Sequence, residues 1–447
     1  MTALQPFADY AAAARTAELP DRVRHAARRC VVDWFAAALP GGALPPATLL
    51  AAALAEEVDR GEAMLLPSGR RATMRAAALI NGAAAHTIEF DDIFRDAIYH
   101  PGTPVIAAAL AAAQGRHASG ALFLRGIIAG YEVSTRIGVA VNPAHYRFWH
   151  TTGTVGTFGA AAAAAVILGL DAGRTLHALA NAGTLAAGLQ QAFRSDAMSK
   201  PLHGGHAAEC GLTMALAAER GVTGAADILD GARGFGAAMS DSPDWATAAA
   251  TLGQGFNILQ TTQKNHAACG HAHAAIDAVL ALRRRHGLAA DDIERIEIRT
   301  YATAIEVTGN FAPRTAFEAK FSLPYCVAVA LATGSARMAA FTAERRADPT
   351  IRALMSRIDL AVDPELDAAF PRRRAARVAV TTRRGARFEH YAPTRKGDPD
   401  APLSDEEIAD KFRELAEGAI GHAASAGLLQ TLWCIDTLPD MAEMAVA

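Results

Sequence analysis

The chain has 447 residues, 51% of them apolar with alanine dominant, and a formal net charge of −3 at pH 7. Its length allows two or three domains with a sizeable core, and alanine, the best helix former, predicts a mainly helical body. The positive charge falls in short pieces (Arg283-Arg284-Arg285, Arg372-Arg373-Arg374), which argues against a continuous basic face and against nucleic acid as a partner.

Five scattered cysteines (Cys30, Cys210, Cys269, Cys326, Cys434) form no CxxC pair, a pattern that points to a reducing compartment rather than a disulfide framework. Residues 1–6 show no basic region leading into an apolar core, so no signal peptide is expected. The longest apolar run, residues 159–170, is short for a membrane span and reads as a buried helix. A cytoplasmic protein without a membrane partner is the expectation.

Over residues 21–39, apolar positions recur at helical spacing (Val23, Ala26, Ala27, Val31, Val32, Phe35, Ala36). That predicts an amphipathic helix, stopped by Pro40-Gly41-Gly42. Residues 45–58 read as a second helix, 64–69 as a short extended piece and turn, and 74–85 as a third helix. Two more helices are expected over 104–140, with Gly115 and Gly120 marking the break. The run from His150 carries Gly153, Gly156 and Gly159 at every third position, which permits close approach to a ligand or another helix. Helical spacing resumes over 174–193.

Beyond residue 263 the texture changes. A helix is expected over 274–286, then a strand framed by Ile293, Ile296, Ile298 and Tyr301, a helix over 322–333, and a β-hairpin over 378–388 turning at Arg383-Arg384-Gly385. These predict an α+β unit. A helical tail then begins at Ser404, with Glu407 three positions on as its capping-box partner.

Four stretches carry chemistry. His86-Thr87-Ile88-Glu89-Phe90-Asp91-Asp92 packs three carboxylates and a histidine between apolar runs, and His100 follows before a Pro-Gly turn. Buried charge is costly unless paired or working, so its concentration here marks a candidate site. His150 leads into the glycine-spaced helix. Lys200 and His203 lie in Ser195–His206; Lys200 stands in a nearly lysine-free body, and lysine, unlike arginine, can lose its proton when buried. The fourth stretch runs from Lys264 through His266, Cys269 and His271 to His273.

No GxSxG, P-loop or GxGxxG at a strand–helix junction is present, which weakens serine hydrolase, NTPase and Rossmann readings. The Cys/His spacing matches no standard zinc pattern, which argues against a metal. What remains is proton transfer next to a carboxylate. A base removes the proton, cations hold the substrate's carboxylates, and an acid serves the leaving group.

Taken together, these segments resemble the MmgE/PrpD family, which includes 2-methylcitrate dehydratase, cis-aconitate decarboxylase and iminodisuccinate epimerase. The likeness runs through Asn81-Gly82 with His86 to Asp92, His100-Pro101, residues 150–159, Ser199 to His203, residues 264–277, Lys320 to Tyr325, Lys396-Gly397-Asp398-Pro399 and Lys411-Phe412. The resemblance implies a large all-helical domain (residues 1–268 plus 396–447) with an inserted α+β lid domain (269–395), a homodimer, no metal or organic cofactor, and a small carboxylic-acid substrate. It places Glu89, His100, His150, Lys200, His273 and Tyr325 in the site. Catalytic roles are expected for His100, His150, Lys200, His273 and Tyr325. Substrate contacts are expected for Glu89, Asp91, Asp92, Arg95, His203, Lys264 and His271. Glu89 stands where the family usually has Asp, and Ile93 where it often has Thr. The expected activity is a metal-independent dehydratase-type lyase. The alternatives are an epimerase, isomerase or decarboxylase, then a metal-dependent hydrolase or a non-catalytic scaffold.

Overall fold

The computed structural model describes residues 2–193 and 197–446. Ser195 and Asp196, at the head of the lysine-bearing stretch, lie outside the described residues. The fold is mainly α, and the chain divides into two units: Met1–Thr262 with Ser404–Ala447, and Gln263–Leu403.

In the first unit the helices are α1 (Gln5–Ala14), α2 (Asp21–Gly42), α3 (Ala47–Ala53), α4 (Met74–Thr87), α5 (Gly102–Gly115), α6 (Gly120–Val141), α7 (Thr151–Leu168), α8 (Ala172–Thr184) and α9 (Ser199–Glu219). The tail supplies two more, Asp405–Ile420 and His422–Trp433. At the centre runs α7, packed against α5, α6, α8 and α9. It is long and apolar enough to cross a membrane, and 94% of it is buried inside the protein. Its glycines make that packing possible. A Cβ on Gly153 would sit 2.5 Å from the Ala187 carbonyl oxygen, and one on Gly156 would sit 2.6 Å from a Pro104 ring carbon. Both close approaches are to protein.

Local signals set most boundaries. Thr73 caps α4, Ser119 caps α6 and Asp171 caps α8, each accepting from a backbone N–H in the first turn. Ser404 and Glu407 form the expected capping box. Three boundaries differ from expectation. Pro40 and its glycines do not stop α2; the helix runs through to Gly42, and Gly41 lies so close to the Ala84 carbonyl that no side chain would fit. The helix expected over 45–58 closes at Ala53, because Val58 starts strand β1. The one expected over 174–193 ends at Thr184, after which Leu189 bridges to Trp149.

Nor is this unit all-helical. Strands β1 (Val58–Met64) and β2 (Arg71–Ala72) form one antiparallel ribbon, with its turn at Leu66 to Ser68. Strands β3 (Ile93–Phe94) and β4 (Thr261–Thr262) form another. Strands β2, β3 and β4 are too short to leave an alternating pattern, and β1 loses its alternation to a register shift between Val58 and Ala63.

The second unit holds a four-stranded sheet in the order β6-β5-β7-β8: β5 (Ile293–Thr300), β6 (Ile358–Val362), β7 (Ala376–Thr382) and β8 (Arg387–Ala392). The pair β5–β6 is parallel and the others are antiparallel. A register shift between Ile293 and Arg295 lets Ile293 and Ile296, three apart, both be buried. Helices His273–His286 and Leu323–Thr333 pack together beside it. Edge strand β6 was not expected; only Ile358 of its five residues is buried, so it shows no apolar alternation.

Candidate active site

The site of the first unit is built on the loop that leaves α4. Helix α4 ends at Thr87, and Glu89 then takes a left-handed backbone conformation, φ +60°. Such a conformation is rare outside glycine, costs on the order of 1–3 kcal/mol and clusters at functional sites. It turns the chain so that Glu89 accepts from Lys200 Nζ, in the first turn of α9; both side chains are buried.

Asp91 and Asp92 follow and divide the polar work. One oxygen of Asp91, Oδ2, lies 2.6 Å from His86 Nδ1, 2.9 Å from Thr103 Oγ1 and 3.1 Å from His100 Nδ1. Asp92 accepts from Tyr131 Oη at 2.6 Å and from the Gly102 N–H at 3.0 Å, and its own carbonyl lies 2.8 Å from His100 Nδ1. Burial, reinforced by the charges of Asp33 and Asp91, pushes the Asp92 carboxyl up to about 8 against those hydrogen bonds.

Beside this loop stand the two other histidines. His150, at the N-cap position of α7, is fixed by its backbone N–H on the Gly188 carbonyl (2.9 Å). Its ring stacks on His86 (5.5 Å, 13°), and its Nδ1 meets Nδ1 of His203 at 3.0 Å. One ring donates and the other accepts. Burial first, then the neighbouring His86, Lys200, His203 and His100, hold His150 well below the ordinary histidine range. Burial, His86, His206 and Lys200 bring His203 down to about 4. Both imidazoles are therefore neutral at pH 7, the form that can take up a proton.

Glu89, Asp91, Asp92, His100, His150, Lys200 and His203 are thus brought into one cluster. Arg95 sits in the 3₁₀ turn Arg95–Ala97 and pairs with Asp96 at 3.4 Å. The remaining candidates belong to the second unit. There His273 donates from Nε2 to the Ala268 carbonyl (3.0 Å), and its ring lies edge-on to His266, 5.2 Å away. His266 in turn pairs with Asp277 (2.8 Å), which accepts from the Lys396 N–H (2.7 Å). His271 meets the Tyr301 hydroxyl at 2.7 Å, and burial, with Arg374 and Arg395 nearby, holds it well below the usual range. The Tyr325 hydroxyl donates to the Ala340 carbonyl (2.6 Å), and Lys264 is buried.

His86, Thr103 and Tyr131 were not among the sequence candidates for catalysis or substrate contact. For His86 the signal was present, a histidine five residues before Asp91 in the same charged stretch. For Thr103 and Tyr131 there was none. If a metal were held here, its donors would be one ring nitrogen each of His86 and His100 and an Asp91 oxygen, which lie within 4.8 Å of one another; both histidines already face Asp91 Oδ2 through Nδ1.

Comparison with known proteins adds the family. The MmgE/PrpD N-terminal domain matches residues 5–248 and the MmgE/PrpD C-terminal domain matches residues 266–437. The cis-aconitate decarboxylase of Homo sapiens is 30% identical over 376 residues, 81% of this chain and 77% of its own length. The cis-aconitate decarboxylase-like protein oryM of Aspergillus oryzae is 26% identical over 456 residues, 96% of this chain and 94% of its own. A cis-aconitate decarboxylase of Aspergillus terreus is 24% identical over 453 residues, 96% and 92% of the two chains.

Proposed function

We propose a function from a premise that the matches establish: this chain belongs to the MmgE/PrpD family. It is an enzyme, and in our reading a lyase acting on a small di- or tricarboxylic acid at a carbon next to a carboxylate. One observation carries this reading: four histidines gather around one Asp–Asp step beside a buried Lys200–Glu89 pair. The neutral imidazoles of His150 and His203 can take up a proton, and Lys200 supplies a cation that a substrate carboxylate would meet.

The relatives favour decarboxylation over the dehydration that the sequence put first, since those named above carry the word decarboxylase. In that step the bond between a carbon and its carboxylate breaks and carbon dioxide leaves. The electron pair stays on carbon, and a histidine of the cluster that has taken up a proton from solvent gives that proton to the carbon. Glu89 adds a methylene where the family usually has Asp, and Ile93 lacks the hydroxyl of Thr. Both alter how a substrate group is held, so the acid itself is chosen by experiment.

That experiment is proton NMR in D₂O of the pure protein with citrate, methylcitrate, cis-aconitate, malate, tartrate and iminodisuccinate. New vinylic signals with release of carbon dioxide are the expected result. Vinylic signals without it replace decarboxylation by loss of water and keep the lyase reading. Deuterium entering an α-position with the skeleton unchanged makes the enzyme an epimerase. No change in any acid overturns the reading for this substrate class.

A further inference from the structure

Asp91 was expected from the sequence to touch substrate, yet its surroundings give it another task. Its side chain is 1% exposed, and its Oδ2 has the imidazoles of His86 and His100 and the hydroxyl of Thr103 arranged around it. His86 is fully buried, whereas His100 is 15% exposed. Of these three ionisable groups, His100 is the one that a molecule arriving from solvent meets.

The hydrogen bonds also decide which ring atom it presents. His100 Nδ1 faces the Asp92 carbonyl oxygen at 2.8 Å as well as the Asp91 carboxylate. A carbonyl oxygen only accepts, so Nδ1 carries the proton. The lone pair of the neutral ring then lies on Nε2. The same logic at the Asp91 carboxylate puts the proton of His86 on Nδ1, and its buried Nε2 has no hydrogen-bond partner among the described residues. A carboxylate behind an imidazole fixes its tautomer and steadies the imidazolium that forms when the far nitrogen takes a proton.

We propose that Asp91 is a positioning residue: one buried carboxylate oxygen clamps His86 and His100, fixes both rings with the proton on Nδ1, and makes Nε2 of His100 the atom through which protons pass to and from substrate. Asp91 then makes no substrate contact. Thr103, at the start of α5, holds the oxygen in place. The other ionisable groups of the cluster are Glu89, Asp92, Tyr131, His150, Lys200 and His203, which stay constant when Asp91 alone is changed.

The kinetic part rests on the lyase reading; the tautomers belong to the resting protein and do not. Protein labelled with ¹⁵N-histidine gives long-range ¹H–¹⁵N spectra that show which nitrogen of each ring is protonated, with His86→Gln and His100→Gln providing assignments. The expected result is Nδ1–H on both rings in the wild type, lost from at least one in Asp91→Asn. Nε2–H on His100 in the wild type overturns the proposal. With an acid that is turned over, Asp91→Asn should lower kcat 30-fold or more, leave KM within threefold and move to lower pH the limb of the pH–rate profile that reports His100. Asp91→Glu, which keeps the charge, should recover part of kcat. A raised KM with unchanged kcat would make Asp91 a substrate contact and overturn the proposal. If no acid is turned over, the lyase reading falls and the spectra still decide the clamp.

Discussion

Lys411 and Asp33, 378 positions apart in sequence, meet in the core with Nζ 2.7 Å from Oδ1 and both side chains fully buried. The same ammonium donates to the Phe90 carbonyl at 2.7 Å and lies 4.1 Å from the centre of the Phe90 ring. The tail helix Asp405–Ile420 thereby grips α2 and the loop between Glu89 and Asp91. A charge this deep is offset by its counter-charge and its hydrogen bonds together.

Removing one partner leaves the other charge in the core. Lys411→Met should destabilise the protein by about 3–5 kcal/mol, read by denaturant unfolding. The double variant Asp33→Leu/Lys411→Met should recover much of that loss. A cost under about 1 kcal/mol for the single variant, the range of exposed pairs, would show that the pair does not brace the loop.

The Lys200–Glu89 pair separates catalysis from stability. Removing the Lys200 ammonium leaves Glu89 buried without its charged partner. Lys200→Ala should cost at least 100-fold in kcat/KM and about 3 kcal/mol of stability. Adding Glu89→Gln should restore stability and not activity. Restored activity in the double variant would remove Lys200 from the chemistry.

Asp92 and His203 should each leave a mark on the pH dependence of stability. Asp92, held up to about 8, keeps its proton in the folded chain where the unfolded chain has released it. Folding therefore weakens as pH rises from about 4 towards 8. His203, held down to about 4, acts oppositely: its contribution is present above about 6.5 and is lost as pH falls towards 4. Between pH 6.5 and 8 the Asp92 effect remains, so wild-type stability should fall across that window and Asp92→Asn should flatten the fall. Denaturant midpoints at half-unit intervals of pH provide the measurement; parallel wild-type and variant curves would count against it.

The three donors around Asp91 make metal content a sharp test of the mechanism. Elemental analysis of purified protein should find no stoichiometric zinc, iron or manganese, and EDTA should leave turnover unchanged. One metal per chain, with activity lost to chelator and restored by the ion, would replace the proton-transfer mechanism with Lewis-acid chemistry.

Several helices were legible in the sequence because their causes are local: apolar spacing along α2, the capping box at Ser404, breaks at Gly115 and Gly120; α9, which carries Lys200 and His203, was not read as a helix. The hairpin of β7 and β8 was legible for the same reason. So was the charged stretch from His86 to Asp92, whose density alone marked it. The edge strand β6, the ribbon of β3 with β4 and the passage of α2 through Pro40 were not legible, since neighbours distant in sequence stabilise each of them.

Residue types, their order and the family they spell out were therefore determined by the sequence itself. Tertiary structure alone decided that Lys200 reaches Glu89, that His150 stacks on His86, that Asp91 faces two histidines and that Lys411 closes on Asp33. Spacing along a chain constrains side chains within a turn or two of helix. Contacts across tens or hundreds of residues are selected by how whole helices pack, and a buried charge is retained where that packing delivers its partner.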